Sequence, residues 1–357
     1  MRRFLYFLVV LSVCFVSTRM WGQSFPNNTV ISPRWNNGGQ AIKGDFVQIG
    51  NLRPFNENPT SATLRIASHS SCLRVVWAGL YWSAYVPLSD RQNPRIEQAI
   101  FKMPGDTQYR NIQADVHMHS TWGNQGDGYT CFKDVTSLLQ SLGSSFNNGE
   151  YSLGKIYTPG SVGSWGIWSL IVVYEDVQAA TSKKVYIYDG AEWNFYQYAG
   201  IQDKDIKIQG FQTPPAPAAI KARIAVSTGA GNVGSYDILQ INGHKQGQGS
   251  YPNKYDDFMD GSISFNHSEA AMPRNPYQTG GSGLVDLDVF DIPNPNNTVI
   301  KNGDTELTIH FSAQDAYITY TVALSIDAIA PYVETHKEVL GLQNGQWKDF
   351  TGKTADF

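Results

Sequence analysis

The sequence predicts an all-β protein: two tandem antiparallel β-sandwich domains of jelly-roll-like form, following a signal peptide. Three observations support this prediction. Aromatic residues make up 13% of the 357 residues and charged residues only 16%, a balance that suits sheets packed face to face. Long runs of β-branched and aromatic residues alternate with segments rich in Gly, Asn and Pro, as strands alternate with turns. The order of these runs also repeats once along the chain.

The N-terminus has the three-part layout of a secretory signal peptide. Arg2 and Arg3 form a short positive region, an apolar run covers residues 4–16, and a small-residue cleavage region lies near Gly22 and Gln23. The apolar run is too short to span a bilayer stably. We therefore expect residues 1–22 to be removed on export. The mature chain, which has no later stretch apolar enough for a membrane span, is expected to be secreted or to reside at the cell surface, associated with the outer membrane.

The first predicted domain covers residues 23–180. After a lead-in rich in Asn, Gly and Pro, residues 73–82 form an apolar and aromatic run that predicts a central strand buried on both faces. Residues 134–142 predict a short helix that ends at Gly143. The remaining strands of this domain are predicted at residues 96–103, 113–119, 150–157 and 165–175.

The second predicted domain, residues 181–333, repeats this order in weaker form. Residues 184–188 predict a strand that ends at the turn pair Asp189-Gly190. Residues 284–290 (LVDLDVF) alternate between apolar and polar, which predicts one wet face. Three further runs match strands of the first domain: residues 220–227 match 73–82, residues 305–311 match 150–157, and residues 317–326 match 168–174. Duplication explains the order, and coincidence among β segments is the alternative. Residues 334–357 are predicted to begin a further module or to form a flexible tail.

The cysteine content agrees with export. Cys72 and Cys131 remain once Cys14 leaves with the signal peptide. An even pair in an oxidising compartment predicts one disulfide, which would stabilise the fold by roughly 4 kcal/mol for a loop of about 60 residues. Two free buried thiols are the alternative. A net charge of −4 argues against a nucleic-acid partner.

Four phrases occur in a familiar order: AGLYW at residues 78–82, DVT at 134–136, WSLIVVYE at 168–175 and YDG at 188–190. As a set they resemble the N-terminal region of large adhesin-like surface proteins of Gram-negative gliding bacteria, the part that precedes immunoglobulin-like repeats. The resemblance implies a non-catalytic module without catalytic residues. The DVT turn also resembles the jelly-roll modules attached to carbohydrate-active enzymes. The chain departs from the surface-protein pattern because it shows no complete repeat and no C-terminal sorting domain.

Metal-ligating residue types occur in three places. Asp115, His117 and His119 lie two residues apart, so on a strand they share a face and offer ligands for a transition metal; a solvated strand face is the alternative. Carboxylates suited to calcium occur without the spacing of a known calcium loop, and solvated loops are again the alternative. These carboxylates are Asp256, Asp257 and Asp260 in one group and Asp286, Asp288 and Asp291 in another. We expect no metal and no cofactor.

Two tryptophans and two glutamates are the remaining candidates for a functional role. Trp122 and Trp193 adjoin Gly-rich turns and are candidates for ligand binding, because exposed aromatic rings stack on sugars. Glu175 and Glu192 are carboxylates that a glycosidase could pair, although no nucleophile, phosphate-loop or dinucleotide motif accompanies them. The expected function is therefore a non-catalytic adhesin-type module that binds an extracellular protein or glycan surface. A glycan-binding module, or a hydrolase of surface polysaccharide or glycoprotein, is the alternative.

Overall fold

The computed structural model describes residues 29–30, 32–52, 58–67, 73–122, 126–159, 165–197, 200–201, 203–231, 233–269, 285–314, 316–329, 340–343 and 346–349. Strands dominate these residues, so the prediction of an all-β protein is confirmed. The predicted signal peptide, residues 1–22, lies outside them. Of the predicted tail, residues 334–357, only one short hairpin is described. No helix among the described residues has the length and apolar character needed to cross a membrane.

The regular elements are numbered in chain order. The first eleven strands are β1 (Thr29–Val30), β2 (Ile42–Leu52), β3 (Thr60–Leu64), β4 (Arg74–Val86), β5 (Gln98–Lys102), β6 (Arg110–Gln113), β7 (Val116–Trp122), β8 (Gly126–Asp134), β9 (Gly149–Gly154), β10 (Gly166–Glu175) and β11 (Ser182–Gln197). The others are β12 (Gly200–Ile201), β13 (Lys204–Gln209), β14 (Ala222–Gly229), β15 (Ile238–Ile241), β16 (His244–Lys245), β17 (Ile263–Phe265), β18 (Val285–Asp291), β19 (Glu306–Ser312), β20 (Ala316–Asp327), β21 (Leu340–Gln343) and β22 (Gln346–Asp349). One short helix, α1 (Thr136–Gln140), follows β8, and 3-10 turns occupy Asn37–Gly39, Leu88–Asp90, Gly143–Phe146 and Pro295–Asn297.

One long sheet runs through the molecule in the order β17-β18-β14-β20-β11-β2-β10-β4-β8-β7, with β12 paired to β11. A four-stranded sheet, β3-β9-β5-β6, and a five-stranded sheet, β1-β13-β19-β15-β16, lie apart from it, and β21 and β22 form a hairpin. The long sheet is narrowest between β2 and β11. Only two residue pairs join these strands, Ser182 with Lys43 and Lys183 with Ile42. This narrow join divides the long sheet into two halves.

Each half of the long sheet packs against its own smaller sheet. In the first half the core lies between β2, β10, β4 and β8 and the four-stranded sheet; its largest buried side chains include Trp82 and Trp168. Both indoles find acceptors, since Trp82 Nε1 donates to the Ile96 carbonyl at 2.8 Å and Trp168 Nε1 to Thr60 Oγ1 at 2.9 Å. In the second half, the core lies between β11, β20, β14 and β18 and the five-stranded sheet.

The other faces of the two halves pack against each other. Phe46 and Ile171 of the first half share one buried cluster with Val185 and Ala323 of the second. The ring centroids of Trp165 and Tyr320 lie 5.8 Å apart across the same interface. The contact is close enough to require glycine at one position: a Cβ on Gly229 would lie 2.3 Å from the Trp165 ring. Dense packing of this kind tolerates no added methyl group without movement. The two halves therefore share a continuous apolar interface.

The segment before β2 contacts both halves. β1 pairs in parallel with β13 of the second half. Arg34 Nε lies 2.6 Å from Asp189 Oδ2 on β11, while the Arg34 guanidinium carbon lies 5.0 Å from the centre of the Phe132 ring on β8. The segment before β2 therefore contacts the second half, although β2 itself belongs to the first half.

Three local predictions were wrong in detail. The Asp189-Gly190 pair does not form a turn: β11 runs through it with a register shift against β20, because the long partner strand continues to pair on both sides. The predicted strand 113–119 is divided between β6 and β7. The predicted helix 134–142 is shorter, since α1 gives way to a 3-10 turn at Gly143.

Candidate functional site

Two histidines stand together on β7, the outermost strand of the long sheet in the first half. His117 and His119 are opposite Cys131 and Tyr129 of β8, and their ring centroids are 5.7 Å apart. They share a face, as the alternation of side chains along a strand predicts. That face is the one turned towards the core of the first half, so the rings are half-buried rather than solvated.

Two carboxylates and one arginine complete what we call the histidine cluster: Arg91, Glu97, His117, His119 and Asp127. Glu97 Oε1 lies 3.6 Å from His117 Nδ1, and Asp127 Oδ2 lies 3.7 Å from His119 Nδ1. Arg91 Nε approaches Asp127 Oδ2 at 3.5 Å. Asp127 is only 1% exposed. Sequence reasoning missed Arg91, Glu97 and Asp127, because their contacts with β7 cross loops and leave no pattern along the chain.

Asp115 does not belong to this cluster. It precedes β7, where Lys133 Nζ donates to Asp115 Oδ1 at 2.6 Å and the Asp134 backbone amide donates to Asp115 Oδ2 at 2.8 Å. The predicted ligand set of Asp115, His117 and His119 is therefore not formed. Within the part of the chain that the structure describes, no three His, Cys, Asp or Glu side chains are grouped to hold a metal ion.

Burial decides the charge of the two imidazoles. It lowers the pKa of His117, and the neighbouring His119 lowers that pKa further, against the opposing effect of Glu97. Burial also lowers the pKa of His119, opposed by Asp127 and reinforced by Arg91. Both rings are therefore neutral at neutral pH. His117 Nε2 is buried and has no hydrogen-bond partner.

The lowered histidine pKa values predict acid sensitivity. A histidine whose pKa is lower in the folded than in the unfolded state binds protons more readily when unfolded, so stability is full above the ordinary pKa and falls as pH decreases through the folded-state value. We expect His117→Gln to lose less stability than the wild type between neutral and mildly acidic pH, measured by urea unfolding. His244→Gln, at an exposed position, is the matched control. Equal acid sensitivity in His117→Gln and the wild type would contradict the prediction.

A layer of aromatic side chains, here called the aromatic end, closes one end of the interface between the halves. It consists of Tyr85, Trp165, Trp193 and Tyr320. The ring centroid of Tyr85 lies 6.1 Å from that of Trp165 and 6.2 Å from that of Trp193, and the Tyr85 and Trp193 rings meet edge-on. Several strands begin or end around this layer in one apolar cluster. The segments 53–57, 160–164 and 270–284 connect to these strand ends, which are Leu52 of β2, Gly166 of β10 and Val285 of β18.

Trp193 is buried, contrary to the expected exposure. It is 3% exposed, and its Nε1 donates to the Ser120 carbonyl at 2.9 Å. The ring is held between β7 and the second half, so its face is not available to stack on a sugar. Trp122 is the last residue of β7, but its side chain lies outside the described residues.

Cys131 does not form the predicted disulfide. Its thiol is free and buried, and Sγ donates to the Ile96 carbonyl at 3.4 Å. The reason is its orientation: Cys131 lies on the face of β8 that packs inside the first half. Cys72 lies outside the described residues. Burial raises the pKa of the Cys131 thiol well above its usual value, which makes it unreactive.

The structure does not pair the two carboxylates proposed for a hydrolase. Glu175 binds Arg74 at the end of β4, and Glu192 lies 2.8 Å from Lys204 Nζ on β13. Glu192 and Lys204 line a surface depression together with Asn194, Ile206, Phe311 and Thr319, and this depression has no room for even one water molecule. It is therefore not a substrate pocket, since ligand pockets usually enclose about 300–1,000 Å³.

The two acidic groups predicted separately meet in the second half. Asp260, Asp286 and Asp288 are all buried. The other three carboxylates have surface or turn roles. Asp256 is exposed, Asp257 accepts from the Gly234 and Tyr236 amides, and Asp291 binds Arg223.

Comparison with known proteins identifies no family. No family model matches the chain, and no curated protein resembles it in sequence. Among solved structures, the chain is similar to BuGH86 in complex with neoagarooctaose, at 10% identity and a TM-score of 0.25, over 80% of this chain and 32% of that one. It is also similar to the β-porphyranase of glycoside hydrolase family 86 from Bacteroides plebeius, at 12% identity and a TM-score of 0.24, over 81% and 36%. The major capsid protein P2 of bacteriophage PM2 matches at 10% identity and a TM-score of 0.22, over 80% and 98%.

This chain spans about a third of the length of the two GH86 structures. Likenesses at these TM-scores assign neither fold nor activity.

Proposed function

We propose that this protein is an exported, non-catalytic binding module that presents loops at the aromatic end of a tandem jelly-roll scaffold. The observation that carries the proposal is the convergence of strand ends from both halves over one buried aromatic layer. Loops supply binding contacts most often where a rigid scaffold positions them. Tyr85, Trp165, Trp193 and Tyr320 supply that rigid base.

The strand order supports two jelly rolls. In the first half β2-β10-β4-β8 faces β3-β9-β5-β6, and in the second half β11-β20-β14-β18 faces β13-β19-β15-β16. Counted within each half, the strands occupy corresponding positions: β14 lies between β20 and β18 as β4 lies between β10 and β8. Two facing four-stranded sheets in this order are typical of a jelly roll. The correspondence supports the duplication that the sequence predicts, with the boundary between β10 and β11.

Export and surface display are proposed from the sequence. The N-terminal layout of a signal peptide and the resemblance to adhesin-like surface proteins both favour them. Non-catalytic function is favoured by the pairing of Glu175 and Glu192 with their own cations. We propose an extracellular glycan or protein surface as the partner.

The test is binding by the mature chain, from residue 23 onward, to a glycan array and to bacterial surface material. Replacing residues 160–164 or 270–284 with Gly-Ser linkers of equal length is expected to weaken binding at least about tenfold, which corresponds to about 1.4 kcal/mol. The matched control is Val177→Ser. Val177 is exposed in the turn between β10 and β11, which lies at the opposite end of these strands from the aromatic end. Equal binding by the wild type and by the variants with residues 160–164 or 270–284 replaced would contradict the proposal.

The histidine cluster favours one other function, hydrolysis of a surface polysaccharide or glycoprotein. A neutral imidazole beside a carboxylate is suited to act as a general base, and His117 lies beside Glu97, although its Nε2 is buried. Products released from a polysaccharide by the wild type, and lost in His117→Ala, would establish the hydrolase and exclude the non-catalytic module.

A further inference from the structure

Two acidic side chains of β18 are buried where the sequence predicts a wet face. Asp286 and Asp288 are both 0% exposed. The reason is that β17 pairs along β18, with Ser264 opposite Asp288. Residues 253–262 cover the same face, as their hydrogen bonds to Asp286 and Asp288 show. The prediction of a solvated face for residues 284–290 was therefore wrong.

Asp286 is fully satisfied by the protein. Its Oδ1 accepts from the Gly261 amide at 2.8 Å and from the Ser262 amide at 3.1 Å. Its Oδ2 accepts from Thr228 Oγ1 at 2.9 Å. This carboxylate therefore organises the loop over β18, and it needs no further ligand.

Asp288 and Asp260 are each satisfied on one oxygen only. Asp288 Oδ1 accepts from Ser264 Oγ at 2.6 Å, and Asp260 Oδ2 accepts from the Asn253 amide at 2.6 Å. Asp288 Oδ2 and Asp260 Oδ1 are buried without any hydrogen-bond partner. Asp260 is 1% exposed, so water does not solvate the free oxygen as it would at the surface.

The two carboxylates share neighbours in what we call the polar chamber. The Ser262 hydroxyl donates to Asp288 Oδ1 at 3.4 Å and also lies beside the Asp260 carboxylate. Asn253 also contacts both, since its backbone amide bonds Asp260 and its side chain lies within hydrogen-bonding reach of Asp288. Asn253 Oδ1 is a further oxygen in the chamber and lies 2.7 Å from Ser264 Oγ and 3.3 Å from His267 Nδ1. The chamber thus offers carboxylate, amide and hydroxyl oxygens.

A buried carboxylate oxygen without a partner is energetically costly, and two in one chamber repel each other. Among the described residues, no Lys or Arg forms an ion pair with Asp260 or Asp288. Burial raises the pKa of Asp288 well above its usual value and that of Asp260 to about 6. The chamber therefore needs a positive charge, which either protons or a metal cation can supply.

We propose that Asp260 and Asp288 bind a calcium ion, with Asn253 Oδ1 and the Ser262 hydroxyl as neutral ligands. Hard oxygen donors select calcium or magnesium over transition metals, and calcium accepts a mixed set of carboxylate and neutral oxygens with flexible geometry. The ion would fasten residues 253–262 to β18 at the edge of the second half.

The experiment uses the mature chain, stripped of metal with EGTA and then titrated with CaCl₂ alone or MgCl₂ alone at neutral pH. We expect one calcium ion per chain by equilibrium dialysis and a melting temperature raised by about 5 °C at saturation. Asp288→Asn is expected to lose both effects. Asp291→Asn is the matched control, because Asp291 lies on the same strand but is exposed and bound to Arg223.

Two results would overturn the proposal. The first is an unchanged melting temperature with calcium, together with a stability of the metal-free protein that falls from mildly acidic to neutral pH and is restored by Asp288→Asn; the chamber then holds protons. The second is an equal response to magnesium, which removes the assignment to calcium. If Asp288→Asn does not fold, Asp260→Asn and the metal titration of the wild type decide the question.

Discussion

Replacing Trp165 with alanine is expected to lower the free energy of unfolding by about 3–5 kcal/mol, the range for removing a large buried aromatic side chain. Trp165 of the first half contacts Tyr320 of the second and packs directly against Gly229. Its removal leaves a cavity in the shared interface, because the strands on both sides are held by their own sheets and cannot close it.

Chemical denaturation monitored by circular dichroism measures this effect. Tyr236→Ala is the matched control, since Tyr236 is an aromatic residue that is 59% exposed and surface substitutions usually change stability by less than about 0.5 kcal/mol. We also expect the wild type to unfold in one transition. A change below about 1 kcal/mol for Trp165→Ala, or two separate transitions in the wild type, would show that the halves are independent.

Arg34→Met is expected to destabilise the protein by about 3–5 kcal/mol, because it leaves the buried Asp189 carboxylate without its cation. Burial raises the pKa of Asp189, and Arg34 opposes that rise. Without Arg34 the pKa rises further. A carboxyl group whose pKa is raised by folding stabilises most when protonated, and this contribution is lost as pH increases through the folded-state value. The variant should therefore approach wild-type stability as the solution is acidified.

Urea unfolding at neutral and acidic pH tests this prediction. The double variant Arg34→Met, Asp189→Asn should recover part of the loss at neutral pH, because it no longer buries a charge. Arg74→Met is the control, since the Arg74–Glu175 pair is exposed and such pairs contribute about 0–1 kcal/mol. A loss in Arg34→Met that is the same at every pH would indicate that packing on Phe132, rather than charge, is responsible.

The fold class could be predicted from the sequence because strand formation is encoded locally. The apolar runs that become β4, β10 and β20 are long, β-branched and bounded by turn residues. The turn at Asp189-Gly190 was predicted wrongly because its outcome depends on a tertiary contact. This pair lies in a bulge within β11, since β20 pairs with β11 on either side of it.

The candidate site could be predicted only where its residues lie on one strand. The shared face of His117 and His119 follows from strand alternation, whereas Glu97 and Asp127 come from elsewhere in the chain. The burial of Asp286 and Asp288 depends on residues 253–262 folding over β18. Neither set of contacts leaves a periodic pattern in the sequence. The composition of the acidic segments therefore predicted solvated loops instead.

The pairing of β1 with β13, and of Arg34 with Asp189, has a consequence for how the molecule can be divided and made. A fragment cut after residue 180 would remove β1 and Arg34 from the half they bind, leaving β13 as an open edge ready to pair with other chains. β1 and Arg34 are synthesised before β11 and β13, so this segment has no partner until the second half has followed it. A part of the chain that is made early is therefore among the last to reach its final contacts.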